Sequence, residues 1–210
     1  AYTLKFVWAP LVDRWRLPLL GRLGQRRGWL VLAQLIVISG LLGMAQLTPD
    51  RLAPFIWVTI LVAFAGATLD IAVDAYRVEI APIEAQGALV ATYSLGYRIA
   101  LIITGALALV LADHTAWSNV YRAMAGVMLI PLVAVFLARE PEVLREHASG
   151  WAAGLRQGVV EPFVDFFRRF SVPLALAVLA FILLAKISDQ SLGGGIMAPF
   201  YLDQGYTKTE

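Results

Sequence analysis

The sequence contains no cysteine, only two histidines, and a small share of charged residues, 15% in all. Without cysteine there can be no disulfide bonds and no thiolate metal sites, and two imidazoles offer little to a metal centre. We therefore predict neither a metal site nor a cofactor. The formal net charge of +2 is too small to indicate a nucleic-acid partner.

Apolar residues, by contrast, are abundant. They make up 60% of the chain, with a mean hydropathy of +0.73, whereas a soluble domain has roughly 45–50%. About 20 apolar residues cross a bilayer as a helix, and such runs follow one another here: we predict membrane spans at 28–47, 54–80, 88–111, 119–138 and 172 to about 202. The predicted fold is an all-α, polytopic helix bundle in the lipid bilayer.

The distribution of charge predicts three segments. Residues 1–138 would form a half bundle, 139–171 a linker with amphipathic helices, and 172–210 the first part of a second half. Because both ends of the chain are abrupt, we predict a fragment of a larger membrane protein. Within the linker, EPFVDFFRRF carries phenylalanines mainly on one side and should lie in the membrane interface, as a passive tether rather than a regulatory element.

Arginines predict the orientation of the spans. They concentrate in residues 13–27 and in the linker, whereas the turns 48–53 and 112–118 contain only Arg51. By the positive-inside rule, the arginine-rich segments are cytoplasmic. Four predicted crossings separate these two segments, which agrees with their lying on the same side.

The stretch APLVDRWRLPLLGRLGQRRGWL, residues 9–30, resembles the loop between the second and third helices of the major facilitator superfamily. The pattern of that loop is G-x-L-a-D-R-x-G-R-R. Asp13 and Arg14 match it directly, and Arg26 and Arg27 match after an insertion, while Ala9 stands in place of the glycine. The resemblance implies that these four charged residues form the superfamily's conformational loop motif.

Four further stretches, YTLKFVWAPLVDR, LDIAVDAYRVEIAP, LGYRIALIITGALALVLAD and KISDQSLGGGIMAPF, together resemble the muropeptide permease (AmpG) family of that superfamily. The resemblance covers essentially the whole chain and implies the end of helix 2 through helix 7. It also implies an inner-membrane protein that imports GlcNAc-anhydro-MurNAc and its peptides with protons, for cell-wall recycling and β-lactamase induction.

Two other functions are weighed against this one. A related porter could carry acetyl-CoA or another anionic metabolite, because inward-facing arginines would serve phosphates equally well. A membrane-embedded enzyme is disfavoured, since the sequence offers no metal cluster, no glycine-rich phosphate loop and no membrane His-Ser pair.

Three charged residues lie within the second predicted span. At about 100° per residue, Asp70, Asp74 and Arg77 fall within a stripe of about 60° on one helix face. Charges inside a membrane normally face the bundle interior or a water-filled cavity. The stripe therefore handles substrate or protons, or, as the alternative, forms an ion pair that fixes helix packing.

The next span offers a partner for these acids. Arg98 should lie at the same depth as Asp70, about 15 Å from the cytoplasmic surface. We predict that either Asp70 or Asp74 pairs with Arg98 while the other acid exchanges protons, and the sequence does not say which. Tyr93 and Tyr97 lie nearby and would suit a sugar, although packing is the favoured interpretation.

The last predicted span carries a second polar group. Lys186, Asp189 and Gln190 share one helix face, and residues 193–195 are glycines that would loosen the helix beside them. Interrupted helices of this kind line cavities in transporters. A polar clasp between helices is the equally supported alternative.

Overall fold

A computed structural model describes residues 5, 7–47, 52–141, 156 and 160–190, without the side chains of residues 14, 162, 163 and 185–190. All regular secondary structure in these ranges is helical. The chain divides into two compact units between residues 151 and 152, and each is described by itself.

The first unit contains seven α-helices in its described part: α1 (Ala9–Arg14), α2 (Gln25–Met44), α3 (Leu52–Ile80), α4 (Gln86–Ile102), α5 (Ala108–His114), α6 (Trp117–Val127) and α7 (Leu129–Leu137). Short 3-10 turns at Leu20–Leu23 and Ile83–Ala85 precede α2 and α4. The second unit contains α8 (Glu161–Arg169) and α9 (Val172–Gln190).

Four stretches of the first unit are long and apolar enough to cross a membrane: Gln25–Met44, Leu52–Ile80, Ile83–His114 and Trp117–Leu137. They confirm the first four predicted spans, with ends that differ by a few residues. Of the fifth predicted span, Val172–Gln190 is helical, and residues 191–202 lie outside the described part.

Two of the long stretches are locally irregular. A π-helical segment, Ile103–Leu107, joins α4 to α5. The stretch from Trp117 to Leu137 breaks at Met128, three residues before Pro131. Proline has no N–H to donate to the carbonyl four residues earlier, and its ring crowds that carbonyl. The proline therefore accounts for the break between α6 and α7.

The core of the first unit forms where α2 packs along α3 and against α6 and α7. Val12 of α1, Trp29 of α2, Ile71 of α3 and Val135 of α7 are buried there. Burial of apolar side chains between these helices holds the end of α1 against α3. By contrast, α4 has no buried residue in the described structure.

Candidate functional site

Two acids of α3 lie against the segment that precedes α1. The ammonium of Lys5 donates a hydrogen bond to Oδ2 of Asp70 and lies 3.6 Å from Oδ2 of Asp74. On the other side, Nη2 of Arg77 lies 3.7 Å from Oδ1 of Asp74. These four residues are called the charge cluster below, and their two positive and two negative charges balance.

The partner of the acids differs from the predicted one. Asp70 and Asp74 contact Lys5, and no ion pair joins either acid to Arg98 among the residues that the structure describes. Arg98 is exposed on α4. Equal depth means only that two residues lie at the same height in the membrane. Contact also requires that the helix faces that carry them point at each other.

Sequence reasoning missed Lys5 as a site residue. The sequence nevertheless offered a signal for it. Lys5 lies in the stretch that the resemblance assigns to the end of helix 2, and a lysine inside a membrane helix is an energetically costly charge. The neighbouring Trp8 shows how this segment is held: its indole ring lies 4.7 Å from the ring of Phe64, and its Nε1 donates a hydrogen bond of 3.2 Å to Oγ1 of Thr68.

One of the two predicted tyrosines reaches the charge cluster. The guanidinium of Arg77 lies 5.0 Å from the ring centre of Tyr93, within the range of a cation–π contact. Arg77 therefore links α3 to α4. Tyr97 is more than half exposed, and no contact of its ring is present in the described part of the chain.

An open groove of about 460 Å³ runs beside the charge cluster. Its charged lining residues are Lys5, Asp13, Asp74 and Glu79. At about 100° per residue, Glu79 falls on the face of α3 opposite to Asp70. The groove nevertheless takes in both Asp74 and Glu79, because it extends along α3 toward the end of that helix.

Beyond the charge cluster, the end of α3 takes part in a second group of charges. Arg26 is buried, and its Nη1 lies 2.6 Å from Oδ1 of Asp13. Its Nε and Nη2 donate to the two carboxylate oxygens of Glu79, at 3.0 and 2.6 Å. This bidentate geometry is typical of a guanidinium bound to a carboxylate. Asp13, Arg26 and Glu79 are called the Arg26 triad below.

The residues beside the triad connect α2 to α7. The carboxylate of Glu140 accepts hydrogen bonds from the backbone N–H groups of Arg26, at 2.8 Å, and Arg27, at 3.1 Å. In return, the side chain of Arg27 donates to the carbonyl oxygens of Val135 and Phe136, at 3.0 and 2.9 Å. Glu140 thus accepts hydrogen bonds from amides at the start of α2, and Arg27 donates hydrogen bonds to carbonyls at the end of α7.

Of the predicted loop motif, Asp13, Arg26 and Arg27 therefore lie together, while the side chain of Arg14 is outside the described part. The same holds for the side chains of Lys186, Asp189 and Gln190, whose backbone forms the end of α9. Within the described residues, no group of three or more His, Asp or Glu side chains could hold a metal ion.

Comparison with known proteins identifies the family. The sequence model of the Major Facilitator Superfamily matches residues 2–208. A protein of Rickettsia conorii named "Putative transporter AmpG 4" is 37% identical over 219 residues, which cover 100% of this chain and 51% of that protein. The "Anhydromuropeptide permease" of Escherichia coli K12 is 36% identical over 191 residues, covering 90% of this chain and 37% of that protein.

The chain thus spans about half the length of the Rickettsia relative, or less in the case of the Escherichia coli one. The helical structure, the four membrane-length helices and the family match agree with one another. They indicate a multi-pass membrane protein. The chain belongs to the major facilitator superfamily.

Proposed function

We propose that this chain acts in an inner-membrane transporter that imports anhydromuropeptides together with protons, for cell-wall recycling and β-lactamase induction. The observation that carries the proposal is the charge cluster, which lies beside an open groove. Three of its members lie on α3, a helix long enough to cross a membrane, and Lys5 precedes α1. Acids placed within a membrane are a recurring means of taking up and releasing protons.

The substrate is proposed from the relatives. One is named anhydromuropeptide permease, and another carries the AmpG name. These names favour a muropeptide over acetyl-CoA. The cluster and the neighbouring Tyr93 supply groups that suit such a substrate, since Lys5 can bind a carboxylate and the ring of Tyr93 can stack on a sugar.

Polar and charged residues carry the proposed mechanism. The charge cluster would handle substrate and protons, with Arg98 contributing from α4 and Lys186, Asp189 and Gln190 from α9. The Arg26 triad would hold the loop before α2 against the end of α3 in one conformation of the transport cycle. Tyr97 would line the substrate path beside Tyr93.

The proposed organisation keeps three segments. Residues 1–138 would supply the end of helix 2 to helix 6 of the transporter, 139–171 the cytoplasmic linker, and 172–210 helix 7 with the start of the second half. Helix α8 supports an interfacial position for the linker: the rings of Phe166, Phe167 and Phe170 form one aromatic group, with centres 5.1 and 5.6 Å apart. Arg168 and Arg169 follow at its end.

The test is uptake of labelled GlcNAc-anhydro-MurNAc tripeptide into proteoliposomes that contain the protein. With an inwardly directed proton gradient, the label should accumulate above its external concentration, and a protonophore should abolish accumulation. Labelled acetyl-CoA, tested in parallel, should not accumulate. Uptake of acetyl-CoA without uptake of the muropeptide, or muropeptide accumulation that ignores the protonophore, would refute the proposal.

A further inference from the structure

Neither the sequence pattern nor the names of the relatives assign a role to Lys5. We propose that Lys5 binds a carboxylate of the transported substrate, exchanging Asp70 and Asp74 for that carboxylate. The inference rests on the proposed function, since it requires transport of an anionic substrate, and it names the group of that substrate which the protein recognises.

The first support is the sharing of one ammonium between two carboxylates. Lys5 donates a hydrogen bond to Asp70 and lies 3.6 Å from Asp74. An ammonium has three N–H donors, so at least one remains for another oxygen. The side chain of Lys5 is 36% exposed, which leaves the ammonium accessible to a molecule in the groove.

The second support is that the groove presents one cation among its described lining residues. Lys5 lines the groove, whereas Arg26 and Arg77 do not. The side chain of Arg26 is only 4% exposed and is bonded to Asp13 and Glu79. Arg77 lies over the ring of Tyr93. A carboxylate that enters the groove therefore meets Lys5 first.

Each acid of the groove has a cation beside it. Asp13 and Glu79 are both bonded to Arg26, so these three residues together carry one net negative charge. Asp74 lies between two cations, 3.6 Å from Lys5 and 3.7 Å from Arg77. Lys5 is therefore the lining cation that would offset the repulsion between the groove and an incoming carboxylate.

The third support is mechanical. Trp8, three residues after Lys5, is held against α3 by its contact with Phe64 and its hydrogen bond to Thr68. Trp8 thus holds the start of α1 against α3, while the ammonium of Lys5 sits on a flexible four-carbon chain. Lys5 can change partner by rotating its side chain, without moving α1 or α3.

The exchange also balances charge. The cluster is neutral with both acids ionised, and a bound substrate carboxylate adds one negative charge. If one of the two acids then takes up one proton from water on the entry side, its carboxyl becomes neutral and the total charge is unchanged. Binding of one carboxylate is thereby linked to uptake of one proton, which is the coupling that the proposed function requires.

The test compares two forms of one probe in proteoliposomes: GlcNAc-anhydro-MurNAc with its free carboxylate, and the same disaccharide with that carboxyl converted to a primary amide. Lys5→Met should raise KM for the carboxylate form by about tenfold or more, as expected for loss of a charged hydrogen bond. Lys5→Met should leave KM for the amide form within about twofold of wild type. Lys5→Arg, which keeps the positive charge, should bind the carboxylate form with a KM close to that of wild type. Arg122→Met, which removes an exposed arginine bonded to Asn119 on α6, serves as the control.

Equal changes in KM for the two probes, or no change for either, would overturn the role of Lys5 while leaving the proposed function intact. Wild-type protein that transports neither probe would instead refute the proposed function, and this inference with it. Because Lys5→Met leaves Asp70 without its cation, Lys5→Gln is also made together with Asp70→Asn. Compared with Asp70→Asn alone, this double variant should have a higher KM for the carboxylate probe and an unchanged KM for the amide probe. Absence of that difference overturns the inference.

Discussion

The guanidinium of Arg26 and the carboxylate of Glu79 face each other in a two-point contact, with N–O distances of 3.0 and 2.6 Å. The side chain of Arg26 is 4% exposed and that of Glu79 is 16% exposed. Removing one member of a buried ion pair costs about 3–5 kcal/mol when the other charge is left alone. Arg26 keeps its contact with Asp13 at 2.6 Å, so loss of Glu79 should cost less than that. The pair nevertheless joins the start of α2 to the end of α3.

Glu79→Gln should lower the thermal unfolding midpoint of the detergent-solubilised protein and its abundance in membranes. The matched control is Asp165→Asn in α8, which breaks the contact of Asp165 with Arg169 at 2.8 Å. Both side chains of that pair are more than half exposed, and such pairs contribute about 0.5 kcal/mol or less. Equal midpoints for the two variants would show that the buried pair contributes no more than the exposed one.

Glu140→Ala should loosen the start of α2. The carboxylate of Glu140 accepts two hydrogen bonds from the first turn of this helix, and caps of this kind contribute about 0.5–2 kcal/mol. Hydrogen–deuterium exchange of the amides of residues 25–28 should become faster, whereas Glu84→Ala, at an exposed position before α4, should leave it unchanged. Unaltered exchange in residues 25–28 of the Glu140 variant would contradict the capping role.

Gly40→Ala should lower stability because a Cβ at this position would overlap Cγ2 of Val62 on α3. Overpacking typically costs about 1–3 kcal/mol, against a gain in helix propensity of about 1 kcal/mol. Gly126→Ala on α6 is the control, since nothing in the described structure lies within 4 Å of its added Cβ. The control should unfold at the wild-type midpoint or above, and Val62→Ala should rescue the Gly40 variant.

Single cysteines should report the orientation of the spans, with no background because the chain has no cysteine of its own. Cysteines at Arg22 and Gln157 should react with an impermeant maleimide only from the cytoplasmic side. Those at Thr48 and Thr115 should react only from the periplasmic side. Reaction of either pair from the wrong side would overturn the predicted orientation.

The membrane spans could be predicted from the sequence because the length of an apolar run is a local property. The same holds for the placing of Asp70, Asp74 and Arg77 on one helix. These predictions needed only the rise and the turn of an α-helix.

The partners of these residues could not be predicted, since each contact depends on how two helices pack. Lys5 and Asp70 are 65 residues apart, and Arg26 and Glu79 are 53 apart. Equal predicted depth favoured Arg98 as the partner of Asp70, but depth alone does not determine whether two side chains meet. Lys5 contacts the acids where Trp8 and the apolar core hold α1 against α3.

The geometry of the charge cluster distinguishes two acids that the sequence left equivalent. Asp70 accepts a hydrogen bond from Lys5, whereas Asp74 is 3.6 Å from Lys5, 3.7 Å from Arg77 and lines the groove. We therefore expect Asp70 to be the acid that holds the cation and Asp74 to be the acid that exchanges protons during transport.

Asp70→Asn should then reduce membrane abundance together with uptake, because Lys5 loses its nearest carboxylate. Adding Lys5→Gln should restore part of that abundance, which a double-mutant cycle on the unfolding midpoint measures.

Asp74→Asn should instead leave abundance near wild type. It should still exchange labelled muropeptide across the membrane at equal concentrations, but it should no longer accumulate the label against a gradient. Asp165→Asn, outside the cluster, controls for the loss of any one carboxylate. If both single variants concentrate the muropeptide like wild type, neither acid takes part in coupling, and if Asp70→Asn alone shows the uncoupled behaviour, the two roles are reversed.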